Sequence, residues 1–192
     1  MINKEETYYS WFWENEVPHE VCQRIIGLGE KKWKSAGIIT AEKTQSLNNI
    51  RKSDIVWINE HWVNDLIWNF MITANENAGW KYDIKAIESC QLTRYSKGGF
   101  YSWHVDSLGS HRDMHDNPKN KSLHGNTRKL SMSIFLNSDY EGGAFEFADG
   151  EMTDLGTGSV VVFPSFLIHK VSPITKGIRY SLVAWFVGPP FK

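Results

Sequence analysis

The chain has 192 residues, 41% of them hydrophobic, and a formal net charge of −1. This is one domain's worth of sequence with enough apolar content for a core, and its near-neutral charge gives no global attraction to nucleic acid or to an anionic membrane. No apolar run approaches the ~20 residues that cross a bilayer, and the polar start Met1-Ile-Asn-Lys-Glu-Glu-Thr7 lacks the basic start and apolar stretch of a signal peptide. A single domain over 1–192 in the cytoplasm is expected, with no membrane and no nucleic-acid partner.

Residues 1–86 read as helical support with flanking strands. The aromatic run Tyr8 to Trp13 holds two of the nine tryptophans and reads as packing of core and lid. Pro18 suits a first helical turn, and Val21, Cys22, Ile25, Ile26 and Leu28 follow at helical spacing. Ile39-Thr40 and Ile55 to Ile58 read as strands flanking a polar turn at Asn48-Asn49. Trp62, Val63, Leu66, Ile67, Phe70, Met71 and Ala74 then recur at three and four, which predicts a second helix opened by Asn59-Glu60 and closed near Gly79. The two cysteines, Cys22 and Cys90, have no metal or redox spacing and read as buried small hydrophobes.

From Ile87 the period changes to two. Ser89 to Tyr95 alternates, Gly98-Gly99 turns the chain, and Phe100 to Asp106 forms the next strand. Residues two apart on a strand point the same way, so His104 and Asp106 can aim at one ion while Val105 faces away. Ser107 to Thr127 is a polar stretch without periodicity; such loops are functional lids or disordered, and its His111, His115 and His124 read as solvated. Leu130 to Leu136 alternates, Asn137 to Gly143 turns, and Ala144 to Ala148 reads as its hairpin partner. Ser159 to Pro164 reads as a buried strand, His169 lies just beyond it, and Arg179 opens a last alternating strand through Phe186.

Two imidazoles and a carboxylate form the facial triad that holds non-haem Fe(II) and leaves the opposite face of the metal open, so His104, Asp106 and His169 are the candidate ligands. A guanidinium fork at Arg179 could clamp a carboxylate. Several short strands with supporting helices predict a mainly β fold: a double-stranded β-helix, the cupin-like jelly roll, over 87–188 with a 107–127 loop, and the N-terminal helices packed on one sheet.

The series Tyr95, Tyr101, His104, Asp106, Arg128 to Asn137, Gly142-Gly143, Gly156 to Phe163, His169, Arg179 and Trp185 resembles the Fe(II)- and 2-oxoglutarate-dependent dioxygenases of the prolyl 4-hydroxylase type. Among them it is most similar to the small PKHD-type hydroxylases. The resemblance covers roughly residues 88 to 188 and implies a jelly roll, Fe(II), 2-oxoglutarate as cosubstrate, dioxygen, and ascorbate as reductant. It implies that Arg179 pairs with the distal carboxylate of 2-oxoglutarate, aided by the Tyr95 hydroxyl, and that Trp185, Tyr101 and Phe135 belong to the substrate pocket. Phe135 stands where some members carry a tyrosine that touches the cosubstrate, and arginine stands at 179 where collagen-type members have lysine.

The implied reaction decarboxylates 2-oxoglutarate to succinate and CO2 and hydroxylates an unactivated C–H bond, with no side-chain general base needed. The resemblance favours a peptidyl prolyl residue; a free amino acid or other small molecule is the alternative substrate. Repair enzymes of the same fold carry a second arginine where this chain has Trp185. Two further readings are a silent jelly roll that binds a ligand or partner, and a sensor that binds iron or 2-oxoglutarate without turnover.

Overall fold

A computed structural model describes residues 7–30, 32–36, 50–150, 152–153 and 155–192. The expected strand at Ile39-Thr40 and turn at Asn48-Asn49 lie outside the described residues.

Among the described residues the architecture is two facing antiparallel sheets and a separate two-stranded ribbon, with two helices on the outside of the larger sheet. Its elements in chain order are β1 (Trp11–Trp13), α1 (His19–Gly27), β2 (Lys34–Ser35), β3 (Arg51–Lys52), β4 (Asp54–Ile58), α2 (His61–Asn77), β5 (Ala86–Ile87), β6 (Cys90–Tyr95), β7 (Phe100–His104), β8 (Thr127–Phe135), β9 (Glu141–Gly142), β10 (Phe145–Phe147), β11 (Met152–Thr153), β12 (Val160–Pro164), β13 (His169–Val171), β14 (Ile174–Lys176) and β15 (Arg179–Gly188). The larger sheet runs β1-β12-β8-β15-β6-β4-β2 with β5 beside β15, and the smaller runs β11-β10-β13-β7-β3.

Strand parity divides the interior in two. Leu130, Met132 and Ile134 of β8, Val160 and Val162 of β12, and Leu182 and Ala184 of β15 face the helices, where Val63, Ile67, Met71 and Ala74 of α2 and Cys22 and Ile25 of α1 complete one apolar core. These helical residues recur at three and four because only one stripe of each helix meets the sheet. The opposite parity, with Tyr95, Phe135, Val161 and Phe163, faces the smaller sheet and packs on Phe145, Phe147, Val171 and Ile174. Cys22 and Cys90 are buried in the helix-side core, and burial pushes their thiols up to about 11 and about 12. The mainly β jelly roll with helices on one sheet is therefore the observed fold.

One local reading is corrected. Residues 145–147 do not return alongside β8 as a hairpin; β10 crosses to the smaller sheet and pairs with β11 and β13. Gly142 and Gly143, with φ of 76° and 68°, turn the chain out of the first sheet in a conformation that side chains rarely adopt. The tryptophans of the early aromatic run pack on the core as expected, Trp13 lying 5.1 Å from the Phe70 ring, and Trp11–Trp13 also forms an edge strand on β12. Among the described residues no helix is long and apolar enough to cross a membrane.

Candidate active site

Between the sheets lies a cavity of about 300 Å³, lined at one end by His104, Asp106 and His169 and at the other by Arg179 and Tyr95. His169 opens β13 and sits directly across from His104 at the end of β7. The ladder then slips: Val171 pairs with Tyr101, so two residues of β13 span three of β7. This bulge resets the side-chain alternation, which brings Tyr101 and His104 to the same face, their rings stacked at 3.5 Å. Asp106 falls just past the strand, held by a backbone bond from its N–H to Ser165 O.

The three side chains converge. His104 Nε2 lies 3.8 Å from Asp106 Oδ1, and His169 Nε2 lies 3.7 Å from Asp106 Oδ2. Each imidazole donates from Nδ1 to a carbonyl, His104 to Ser102 O at 2.8 Å and His169 to Leu167 O at 2.9 Å. A carbonyl accepts only, so both rings carry hydrogen on Nδ1 and present Nε2 toward the shared point, the orientation a metal-ligating histidine needs. Ser131 Oγ donates to Asp106 Oδ2 at 2.7 Å and fixes the carboxylate.

Electrostatics favour the same donor state. Burial, with the neighbouring His169, pulls His104 down to about 4, so it stays neutral. Burial opposes ionisation of Asp106, but His169, Arg128, His104 and the Ser131 hydroxyl together hold it below the usual carboxylate range. Two imidazoles beside one carboxylate are a donor set that suits a divalent iron. Among the described residues these three form the one histidine, cysteine and carboxylate group able to hold a metal. His111 and His124 lie exposed in the loop, and half-buried His115 turns to Glu88 instead.

At the far end Arg179, opening β15 opposite Tyr95, is only 1% exposed. Its Nη1 donates to Ser181 Oγ at 3.1 Å, while Nε and Nη2 have no partner. A buried guanidinium left so is costly until an anion joins it, and a dicarboxylate such as 2-oxoglutarate, with one end at the triad and one at Arg179, fits that need. Gly143 lets Ile174 and Arg179 pack closely: a Cβ there would overlap Ile174 Cδ1 and lie 3.2 Å from Arg179 Cδ. The guanidinium also lies 5.6 Å from the Tyr95 ring and 5.0 Å from the Phe135 ring. Tyr101 and Trp185 line the cavity, but Phe135 does not: Phe145 and the Arg179 guanidinium cover its ring, so it is packing beneath the site.

Sequence reasoning missed a clamp on the cavity wall. Arg128 Nε and Nη2 grip Glu88 at 2.5 and 2.7 Å, and its guanidinium lies 3.9 Å over the Trp185 ring. Burial works against the Glu88 charge, yet the bonds from Arg128 and His115 hold its carboxyl below the usual range. Arg51 on β3 is a second missed cation on the same cavity. The available signals were two charges bordering apolar strands, Glu88 before β6 and Arg128 within β8. The 107–127 loop is tied down through this clamp by the His115–Glu88 contact at 3.2 Å, and by a Ser110/Asp113 capping box on the short turn His111–Asp113.

A double-stranded β-helix with a half-buried His-x-Asp pair, a buried distant histidine and an anion-ready arginine defines a class of oxygen-using iron proteins. Residues 90–187 match the 2OG-Fe(II) oxygenase superfamily, and the chain belongs to that superfamily. It is 36% identical over 107 residues to a PKHD-type hydroxylase of Synechococcus sp., a match covering 53% of this chain and 42% of that protein. A PKHD-type hydroxylase of Idiomarina loihiensis is 30% identical over 106 residues, covering 53% and 43%. The matched region thus spans less than half the length of these curated relatives. A Pseudomonas putida prolyl-4-hydroxylase superposes with a TM-score of 0.66 at 21% identity, covering 94% of this chain and 92% of that one. The viral collagen prolyl hydroxylase of Paramecium bursaria Chlorella virus-1 gives 0.70 at 19% identity, covering 94% and 97%. These two likenesses speak to the fold.

Proposed function

We propose that the protein is an Fe(II)- and 2-oxoglutarate-dependent hydroxylase acting on a peptidyl prolyl residue. The observation that carries the reading is one cavity with two complementary ends: His104, Asp106 and His169 turn three donor atoms to one point, and Arg179 waits buried and incompletely bonded at the other. Iron and 2-oxoglutarate supply the oxidising chemistry, in which dioxygen is consumed, succinate and CO2 leave, and a hydroxyl group is placed on a substrate C–H bond; ascorbate serves as reductant.

The protein's own residues bind, orient and exclude water. The carbonyl bonds at Nδ1 fix both imidazoles, and Ser131 fixes Asp106. Arg179, beside Tyr95, takes the distal carboxylate of the cosubstrate and so sets its distance from the triad. The Tyr101 ring covers one flank of His104, and Phe163 and Phe145 cover His169, which keeps that end dry. Trp185, with an Nε1–H lacking a protein partner, stands on the wall where a substrate carbonyl can accept it.

A peptide substrate draws support from a structural neighbour, a prolyl hydroxylase of Trichoplax adhaerens in complex with a hypoxia inducible factor oxygen degradation domain peptide fragment. The test is succinate formation from 2-oxoglutarate under air with Fe(II) and ascorbate, with and without a pool of proline-rich peptides. Stimulation by the peptides supports the reading. Turnover indifferent to them removes the prolyl substrate, and no turnover with any addition removes the hydroxylase.

A further inference from the structure

Arg51 is a second guanidinium buried against the same cavity, at the triad end. It opens β3 opposite Tyr101 of β7, is 7% exposed, and lies 4.6 Å from the Tyr101 ring, which itself stacks on His104. Its Nε donates to Ser53 Oγ at 2.8 Å, which fixes the plane of the fork, and its Nη2 has no hydrogen-bond partner. Among the described residues no carboxylate pairs with it: the neighbouring Asp54 is taken by Arg94 at 2.7 Å, and Glu88 by Arg128. A desolvated guanidinium without a counter-charge is costly enough that such sites are completed by an anion.

Counted over the described residues, the charges of the cavity leave one cation uncompensated. With both histidines neutral as ligands, Asp106 and the two carboxylates of 2-oxoglutarate exceed the divalent iron by one negative charge, and Arg179 cancels it. Glu88 cancels Arg128. Arg51 is left over among the described residues of the cavity. We infer that the primary substrate brings a carboxylate, seated on Arg51 beside Tyr101, so that the enzyme selects an anionic substrate over its neutral counterpart. This rests on the hydroxylase reading and narrows it. A prolyl side chain is neutral, so the carboxylate belongs to the substrate's own terminus or to a neighbouring acidic residue.

The test titrates the protein anaerobically with Fe(II) and 2-oxoglutarate, then with a set of N-acetyl amino acids and the corresponding amides, reading heat of binding. Failure of the wild type to bind 2-oxoglutarate appears before any probe is added and defeats the parent reading together with this one. The expected result is that at least one acid binds about tenfold or more tighter than its amide, the worth of one charge-assisted hydrogen bond. Arg51→Gln should bring that acid down to its amide while leaving 2-oxoglutarate affinity alone, and Arg51→Lys should restore part of the preference. Acids that never exceed their amides overturn the inference, as does an Arg51→Gln protein that loses 2-oxoglutarate as Arg179→Gln does.

Discussion

The two faces of the larger sheet are made by the same strands and do opposite things. On β8 and β15 the helix-facing residues Leu130, Met132, Ile134, Leu182 and Ala184 are uniformly apolar and fully buried, and none carries a polar side-chain group. One residue out of step, Ser131, Ser133, Arg179, Ser181 and Trp185 face the other way; they are almost as buried, yet they carry hydroxyls, a guanidinium and an indole N–H. Burial alone does not separate core from site. What separates them is that the site face carries buried polar groups, some held by the ligand set, as Ser131 is by Asp106 and Ser165, and some, on Arg179 and Trp185, with unpartnered donors. A sheet can therefore put stability on one parity and function on the other, each open to change by itself.

The sharpest way to break that comparison is to remove a ligand. His169→Ala should abolish iron-dependent succinate formation, a loss beyond the ~100-fold that removal of an outer-shell partner costs, with the melting temperature of the metal-free protein little changed. Full activity in this variant would sink the triad. On the other face, Leu182→Ala should cost about 2–5 kcal/mol of stability, read by denaturant unfolding, while 2-oxoglutarate affinity of the folded fraction is preserved. A large fall in that affinity would show that the faces are not independent.

Arg179→Gln should weaken 2-oxoglutarate binding by about 1.5–3 kcal/mol, the range for hydrogen bonds to charged groups, in direct titration. Its stability should hold or rise, because a buried unpaired charge is removed. A smaller effect belongs to Glu88. Its carboxyl is held below the ordinary range in the folded state, so its stabilisation is present above the unfolded value of about 4.3 and is lost as pH falls through the lower folded value. Glu88→Gln should therefore be less stable than wild type by about 1–3 kcal/mol at neutral pH, the gap closing on acidification. A gap that widens toward low pH would contradict the direction assigned to Glu88.

The same comparison explains what was legible beforehand. The apolar parity announces itself through periodicity, so α2, β6, β8 and β15 are readable from Val63, Ile67 and Met71 and from the alternation of Leu130, Met132 and Ile134. The His-x-Asp pair, the distant histidine and Arg179 were recognisable as a pattern of residue types. The bulge that turns Tyr101 onto His104 was not, because it depends on pairing with β13. Nor was the crossing of β10 to the other sheet, since local alternation does not say which strand is the partner. Glu88 with Arg128, and Arg51 with Tyr101, meet only through long-range pairing; in the sequence each is one charged residue beside a strand.

The most direct test of the central claim is Fe(II) binding in the presence of 2-oxoglutarate under anaerobic conditions, comparing wild type with Asp106→Ala. One equivalent of iron retained by the wild type and lost by the variant is the predicted result. Equal retention by both proteins would contradict the assignment of His104, Asp106 and His169 as the metal centre.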